Sequence, residues 1–166
     1  MSKIALRPYM PVDAKRCAEI FRASIEELAT EDYGAEQREA WAAAADDSEA
    51  FGKRLGGMLT LIALIDGEPA GFASLKGADE IDMLFTAPEF ARQGVAATLL
   101  DALTKLATAR GATRLTTEAS DVAKPLFETR AFVAQKRNLV RKGDEWLANT
   151  TMTRSFGAEP PKPTLQ

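Results

Sequence analysis

Ile81-Asp82-Met83-Leu84-Phe85-Thr86-Ala87-Pro88-Glu89-Phe90-Ala91-Arg92-Gln93-Gly94-Val95-Ala96-Ala97-Thr98-Leu99-Leu100 is the stretch that decides how this chain is read. It runs from an apolar strand through a Pro-stopped loop to a basic, Gly-marked turn that opens a helix. No acidic residue caps that helix start, so its free N–H groups and positive dipole end suit an anion such as a phosphate. Gly94 removes the side chain where a ligand would come close, and Ala96 and Ala97 keep the first turn bare. Arg92 adds a full positive charge beside it.

Outward from this stretch, Glu80–Thr86 reads as a strand and Gly94–Arg110 as a helix. Leu99, Leu103 and Leu106 share one face of that helix, with Leu100 and Ala107 beside them, and Gly111 stops it. Arg114–Glu118 is a strand, so the segment from Ile81 to Glu118 demands a right-handed crossover and a locally parallel pair. Upstream, Met58–Ile65 is nearly all apolar, as in a strand covered on both faces. Asp66-Gly67 is a tight-turn signal, and Glu68–Leu75 returns antiparallel. Lys3–Arg7 opens as a strand, Val12–Ala29 has helical spacing, and Ala35–Ala45 and Ser48–Leu55 read as short helices with Asp47 or Ser48 as a cap. Val122–Arg130 reads as a helix. Phe132–Arg141 and Glu145–Phe156 flank Lys142-Gly143-Asp144 as a closing hairpin. The order predicts an α/β fold: one domain over 1–156, a mixed, mostly antiparallel sheet, and helices on both faces. Residues 157–166 hold three prolines and read as a disordered tail.

Composition narrows the chemistry. With 166 residues, 46% hydrophobic and 27% charged, the chain is of ordinary globular make-up. No apolar run approaches membrane-spanning length and the start lacks a signal-peptide pattern, which predicts a cytoplasmic protein with no membrane partner. There is no histidine, which excludes Ser-His-Asp and Cys-His machinery and His-bearing zinc sites. The single Cys17 excludes an internal disulfide and a thiolate metal cluster, and it sits in an apolar-periodic helix. No metal site is expected. A net charge of −3 offers no basic field for nucleic acid. Acidic residues at Glu31–Glu36 and Asp46–Glu49 read as solvated helix ends, with an acidic lip for a cationic amine as the alternative. Proton transfer therefore falls to carboxylates, Tyr, Lys, Ser/Thr or water.

Two motifs resemble the GNAT superfamily of N-acetyltransferases. Its first signature, Gln/Arg-x-x-Gly-x-Gly/Ala opening a leucine-rich helix after a strand, aligns with Ala91-Arg92-Gln93-Gly94-Val95-Ala96. Its second, a strand and short loop before Ala-x-x-(Phe/Tyr)-(Phe/Tyr)-x-x-x-Gly-Phe, aligns with Glu118 through Ala123 and Phe127 to Ala131-Phe132. The resemblance spans nearly the whole chain and implies acetyl-CoA as cosubstrate. It implies that N–H groups of Gln93, Gly94, Val95, Ala96 and Ala97 hold the pyrophosphate, with Arg92 nearby. It further implies that main chain at Leu84, Phe85 and Thr86 pairs with pantetheine, whose two amides are spaced like a peptide's. A backbone N–H near Phe85 would face the thioester oxyanion. Ser120 and Phe127 would line the cofactor's other side, and Lys124 or Arg130 would meet its outer phosphates. Three departures stand out. Ala91 occupies the usual Gln/Arg position. Ala131 replaces a Gly, at about 1–2 kcal/mol if that position needs a positive φ. Phe127 falls where many relatives carry a Tyr that protonates the departing thiolate.

The missing acid matters less than a base. A thiol with pKa ~8.5 leaves tolerably as thiolate, whereas an amine of pKa ~10.4 is neutral about once in 2,500 at pH 7, roughly 4.6 kcal/mol. Glu118, at the end of the strand opening onto the thioester, is the first candidate base. Asp82 is a second, relaying a proton through water. Glu118 has the duller reading of a carboxylate paired with a neighbouring Lys or Arg. Tyr33, in the loop between the early helices, would supply an acid or orient the amine, or else simply pack its ring. Trp41 and Trp146 line an acceptor pocket or pack at its rim. With no nucleophile-base pair evident, direct attack in a ternary complex is expected. The alternative is a non-catalytic acyl-CoA-binding module. A homodimer through the exposed hairpin strands is compatible with the pattern, and the acceptor amine stays open.

Overall fold

The computed structural model describes residues 3–156, and the Pro-rich 157–166 segment lies outside them. Seven strands form one sheet in the order β1-β2-β3-β4-β5-β7-β6. They are β1 (Ile4–Pro8), β2 (Leu59–Ile65), β3 (Glu68–Lys76), β4 (Glu80–Thr86), β5 (Arg114–Ser120), β6 (Val133–Lys142) and β7 (Glu145–Ser155). Every neighbouring pair is antiparallel except β4 and β5. That pair is joined by α4 (Val95–Ala109), which supplies the predicted crossover. The mixed sheet with helices on both faces is therefore the observed fold class.

The two faces are filled by different helices. Leu99, Leu100, Leu103 and Ala107 of α4 bury against Leu61, Leu75, Ile81 and Leu115 of the sheet. Phe127 of α5 (Lys124–Thr129) joins the same cluster. On the opposite face Cys17, Ile20, Phe21 and Ile25 of α1 (Ala14–Leu28) pack with Phe51 and Leu55 of α3 (Ser48–Gly56) onto Ile62, Phe72 and Met83. The small α2 (Ala35–Ala42) lies against β7. Gly71 lets α4 approach β3 closely: a Cβ there would sit 2.7 Å from both the Phe85 carbonyl oxygen and Val95 Cγ1.

Several helix ends differ from the expected bounds. The expected helix from Val12 starts as a 3-10 turn at Pro11–Asp13, and α1 proper begins at Ala14. The expected helix Ala35–Ala45 closes at Ala42 and tightens into a 3-10 turn. The expected Val122–Arg130 helix shrinks to α5, because Pro125 has no N–H to bond back toward Asp121. Asp47 is the cap of α3, accepting from the Glu49 and Ala50 N–H groups at 3.1 Å. Among the described residues no helix is long and apolar enough to cross a membrane.

Candidate active site

The site begins with a parallel pair that stops early. β4 and β5 align at only two positions, Glu80 with Thr116 and Ile81 with Thr117. One further bond seals the apex, Thr117 Oγ1 donating to the Ile81 carbonyl at 3.0 Å. Beyond it β4 stays paired with β3 to Thr86, and β5 stays paired with β7 to Ser120. The register of β3 against β4 slips at Ser74/Leu75, so Asp82 is the extra residue of a bulge at the apex. From Asp82 to Thr86 the β5-facing edge of β4 has no strand partner, and a cleft of about 300 Å³ opens between the two strands. Leu84 and Phe85 line it from one side, Ser120 and Phe127 from the other.

Past the end of β4 the chain builds the anion cradle. Arg92 has φ 64° and Gly94 φ 83°, two left-handed residues flanking Gln93. The first helical bond runs from Thr98 N–H to the Gly94 carbonyl, at 3.0 Å. Among the described residues the amides of Arg92, Gln93, Gly94, Val95, Ala96 and Ala97 make no hydrogen bond, and no side chain caps the helix. Six free donors at a positive helix end form a nest for a phosphate pair. The unpaired β4 edge leads directly into it.

Both candidate carboxylates line the cleft. Asp82 is held by Arg54 of α3, whose Nη2 donates to Oδ2 at 3.0 Å. Glu118 makes no ion pair among the described residues. Its Oε2 accepts instead from Thr151 Oγ1 at 2.7 Å and from Asn138 Nδ2 at 2.9 Å. Tyr33 is buried, and its hydroxyl bridges two strand ends. It donates to the Ala148 carbonyl at 2.6 Å and accepts from the Asp121 N–H at 2.9 Å. Burial pushes the Tyr33 phenol above its ordinary pKa, partly offset by that N–H donor. Trp41 packs edge-on against Tyr33 and Phe85, with ring centres 5.4 and 6.0 Å apart, and forms part of the cleft wall. Trp146 is exposed and outside the cleft lining.

Comparison with known proteins agrees with this geometry. Residues 29–154 match the acetyltransferase (GNAT) domain. The chain belongs to the GNAT acetyltransferase family. An Escherichia coli protein named as the uncharacterized N-acetyltransferase YafP is 34% identical over 92% of this chain and 96% of its own length. A crystal structure from Rhodopseudomonas palustris, titled as a GCN5-related N-acetyltransferase and class-II aminotransferase, is 58% identical. It covers 94% of this chain and 98% of its own, with a TM-score of 0.91. The Thermoplasma acidophilum PaiA N-acetyltransferase, solved in complex with coenzyme A, shares the fold at TM-score 0.75 and 18% identity, covering 93% and 99% of the two chains. GNAT enzymes use acetyl-CoA, and acetyl-CoA-dependent N-acetyl transfer is the activity class of this chain.

Within this GNAT cleft the remaining residues take distinct places. Phe127 is 2% exposed and packs against Phe132 with ring centres 5.0 Å apart. Ser120 Oγ accepts from the Ala123 N–H at 3.1 Å, tightening the turn into α5. Arg130 is engaged with Asp101 of α4 at 2.9 Å, whereas Lys124 makes no ion pair among the described residues. Ala131 has φ 66°, so the position does demand the left-handed conformation that Gly would relieve. Sequence reasoning missed Arg54, Asn138 and Thr151, none of which carries a local signal. It also passed over Val140 and Lys142, which line the cleft from β6. Alternation along that strand puts these two on one face.

Proposed function

We propose that this enzyme acetylates a primary amine held at the divergence of β4 and β5, by direct attack within a ternary complex. One observation carries the reading: the unpaired β4 edge and two carboxylates meet on one cleft, and the chain runs on from that edge into the cradle of free amides. The residues fit acetyl-CoA. The free amides from Gln93 to Ala97, with Arg92, would hold its pyrophosphate. Main chain at Leu84, Phe85 and Thr86 would pair with pantetheine as an added strand. Lys124 is available for an outer phosphate, and Arg130 would reach one only by leaving Asp101.

Bound there, acetyl-CoA supplies an activated thioester. Glu118 accepts the ammonium proton, because it lines the cleft and makes no ion pair among the described residues. Asp82, already offset by Arg54, adds field at the apex and orders water toward the amine. Tyr33 acts by holding the acceptor wall, since its only proton is committed to Ala148. Phe127 offers no acid, so the thiol (pKa ~8.5) departs as thiolate, and the second proton that the nitrogen sheds on becoming an amide passes to solvent. Cys17 is not an acyl carrier: burial pushes its thiol up to about 12.

The test is thiol release from acetyl-CoA across an amine panel, with the product identified by mass spectrometry. Release above background hydrolysis with a primary amine is expected. Tight acetyl-CoA binding with no amine-dependent release would leave a binding module and overturn the reading. In the Glu118→Gln variant the rate should fall about 10²–10⁴-fold below the amine's pKa and recover toward it above. A profile of unchanged shape and height would remove Glu118 as the base.

A further inference from the structure

We propose that Asn138, on β6, is a positioning residue for Glu118, acting with Thr151 through a three-strand polar ladder. The inference rests on Glu118 serving as the base. Glu118 on β5 lies directly opposite Thr151 on β7, and Asn138 on β6 lies directly opposite Asn149 on β7. Asn138 Nδ2 stands 2.9 Å from Glu118 Oε2, 2.9 Å from Thr151 Oγ1 and 3.0 Å from Asn149 Oδ1. A carboxylate and an amide oxygen are pure acceptors, so the amide must present nitrogen there and not oxygen. Its two N–H groups are then divided among three acceptors. Thr151 spends its one proton on Glu118 at 2.7 Å.

The direction of donation fixes what the ladder does. Thr151 has no acceptor other than Glu118 among the described residues, and Asn138 has no proton to lose. A proton taken up by Glu118 therefore cannot travel on through Thr151 and Asn138, and it leaves from Glu118 itself. The ladder instead holds one carboxylate oxygen from two sides. Oε1 makes no hydrogen bond among the described residues and remains available to the amine. The other charged groups around it are Asp82 on β4, Arg54 on α3, Lys136 registered opposite Thr151, and Lys142 near the end of β6.

The experiment is a double-mutant cycle on the full chain, read by steady-state kinetics with acetyl-CoA and the amine found by the thiol-release screen. Asn138→Ala should lower kcat about ten- to a hundredfold, with KM for acetyl-CoA unchanged. In a Glu118→Gln background the same substitution should change kcat by less than about twofold. Asn138→Asp keeps the side-chain shape but sets a second carboxylate beside Glu118. It should move the acid limb of the rate profile up by about one pH unit. Thr151→Val gives a second route to the same loss if an Asn138 variant folds poorly by circular dichroism. An equal kcat loss in both backgrounds, or an unmoved acid limb in Asn138→Asp, would overturn the proposal. If Glu118→Gln alone leaves rate and profile intact, the base assignment has failed instead.

Discussion

Ala131 holds a left-handed backbone with a Cβ in place. That conformation costs an L-residue about 1–2 kcal/mol, partly offset by the smaller unfolded-state entropy of Ala. Ala131→Gly should therefore stabilise the protein by about 1 kcal/mol and raise Tm by about 2–4 °C, measured by thermal unfolding. At Gly94 the same φ logic separates two effects. Nothing lies within 4 Å of a Cβ built there, so Gly94→Ala adds backbone strain alone. Gly94→Glu adds strain and a negative charge in the cradle, and only Glu should abolish acetyl-CoA binding by calorimetry. These positions were legible in the sequence because Gly and its absence report backbone conformation locally. The partners of the carboxylates were not. Arg54 lies 28 residues from Asp82 and Asn138 lies 20 from Glu118, and only the folded sheet brings them together.

At the scale of elements, the informative contact is between the loop after α1 and the ends of β5 and β7. One phenol oxygen ties Ala148 to Asp121, and Gln37 Nε2 adds a bond to the Trp146 carbonyl at 2.8 Å. Tyr33→Phe keeps the ring packing but strands a backbone donor and acceptor, at about 1–3 kcal/mol. Its Tm should drop, and KM for the amine should rise more than KM for acetyl-CoA, because Tyr33 lines the cleft on the side proposed for the acceptor. A strong helix such as α4 was readable from its leucine spacing alone. The closing hairpin was readable too, from alternation and its Lys142-Gly143-Asp144 turn. That β7 and not β6 sits beside β5 could not be read, since both strands carry the same alternating pattern. It decides which residues surround Glu118.

For the whole molecule, the buried ionisable groups set the pH range of stability. Asp13 is held below the ordinary carboxylate pKa, chiefly by a two-pronged hydrogen bond from Arg7 at 2.7 and 2.8 Å. A lowered folded pKa gives stability that is present above ~3.9 and lost as the pH falls below it. Cys17, raised to about 12 by burial, does the opposite. Its contribution is complete below ~8.5 and fades as the pH climbs toward its folded value. Urea midpoints should therefore form a plateau through neutral pH and decline at both ends, and Cys17→Ala should flatten the alkaline decline.

The two aligned positions that join β4 to β5 also divide the sheet into four strands on one side and three on the other. So short a seam makes each half a candidate for separate local opening. A cosubstrate bound along the free β4 edge as proposed, with β5 on the other side of the cleft, would act as a clasp as well as a reactant. Native-state hydrogen exchange should slow at Met83–Thr86 and along β5 when acetyl-CoA is added. At a hundredfold excess over Kd the whole domain should gain about 2.7 kcal/mol. On that binding mode, the lifetime of this enzyme against proteolysis would follow the supply of its own acetyl donor.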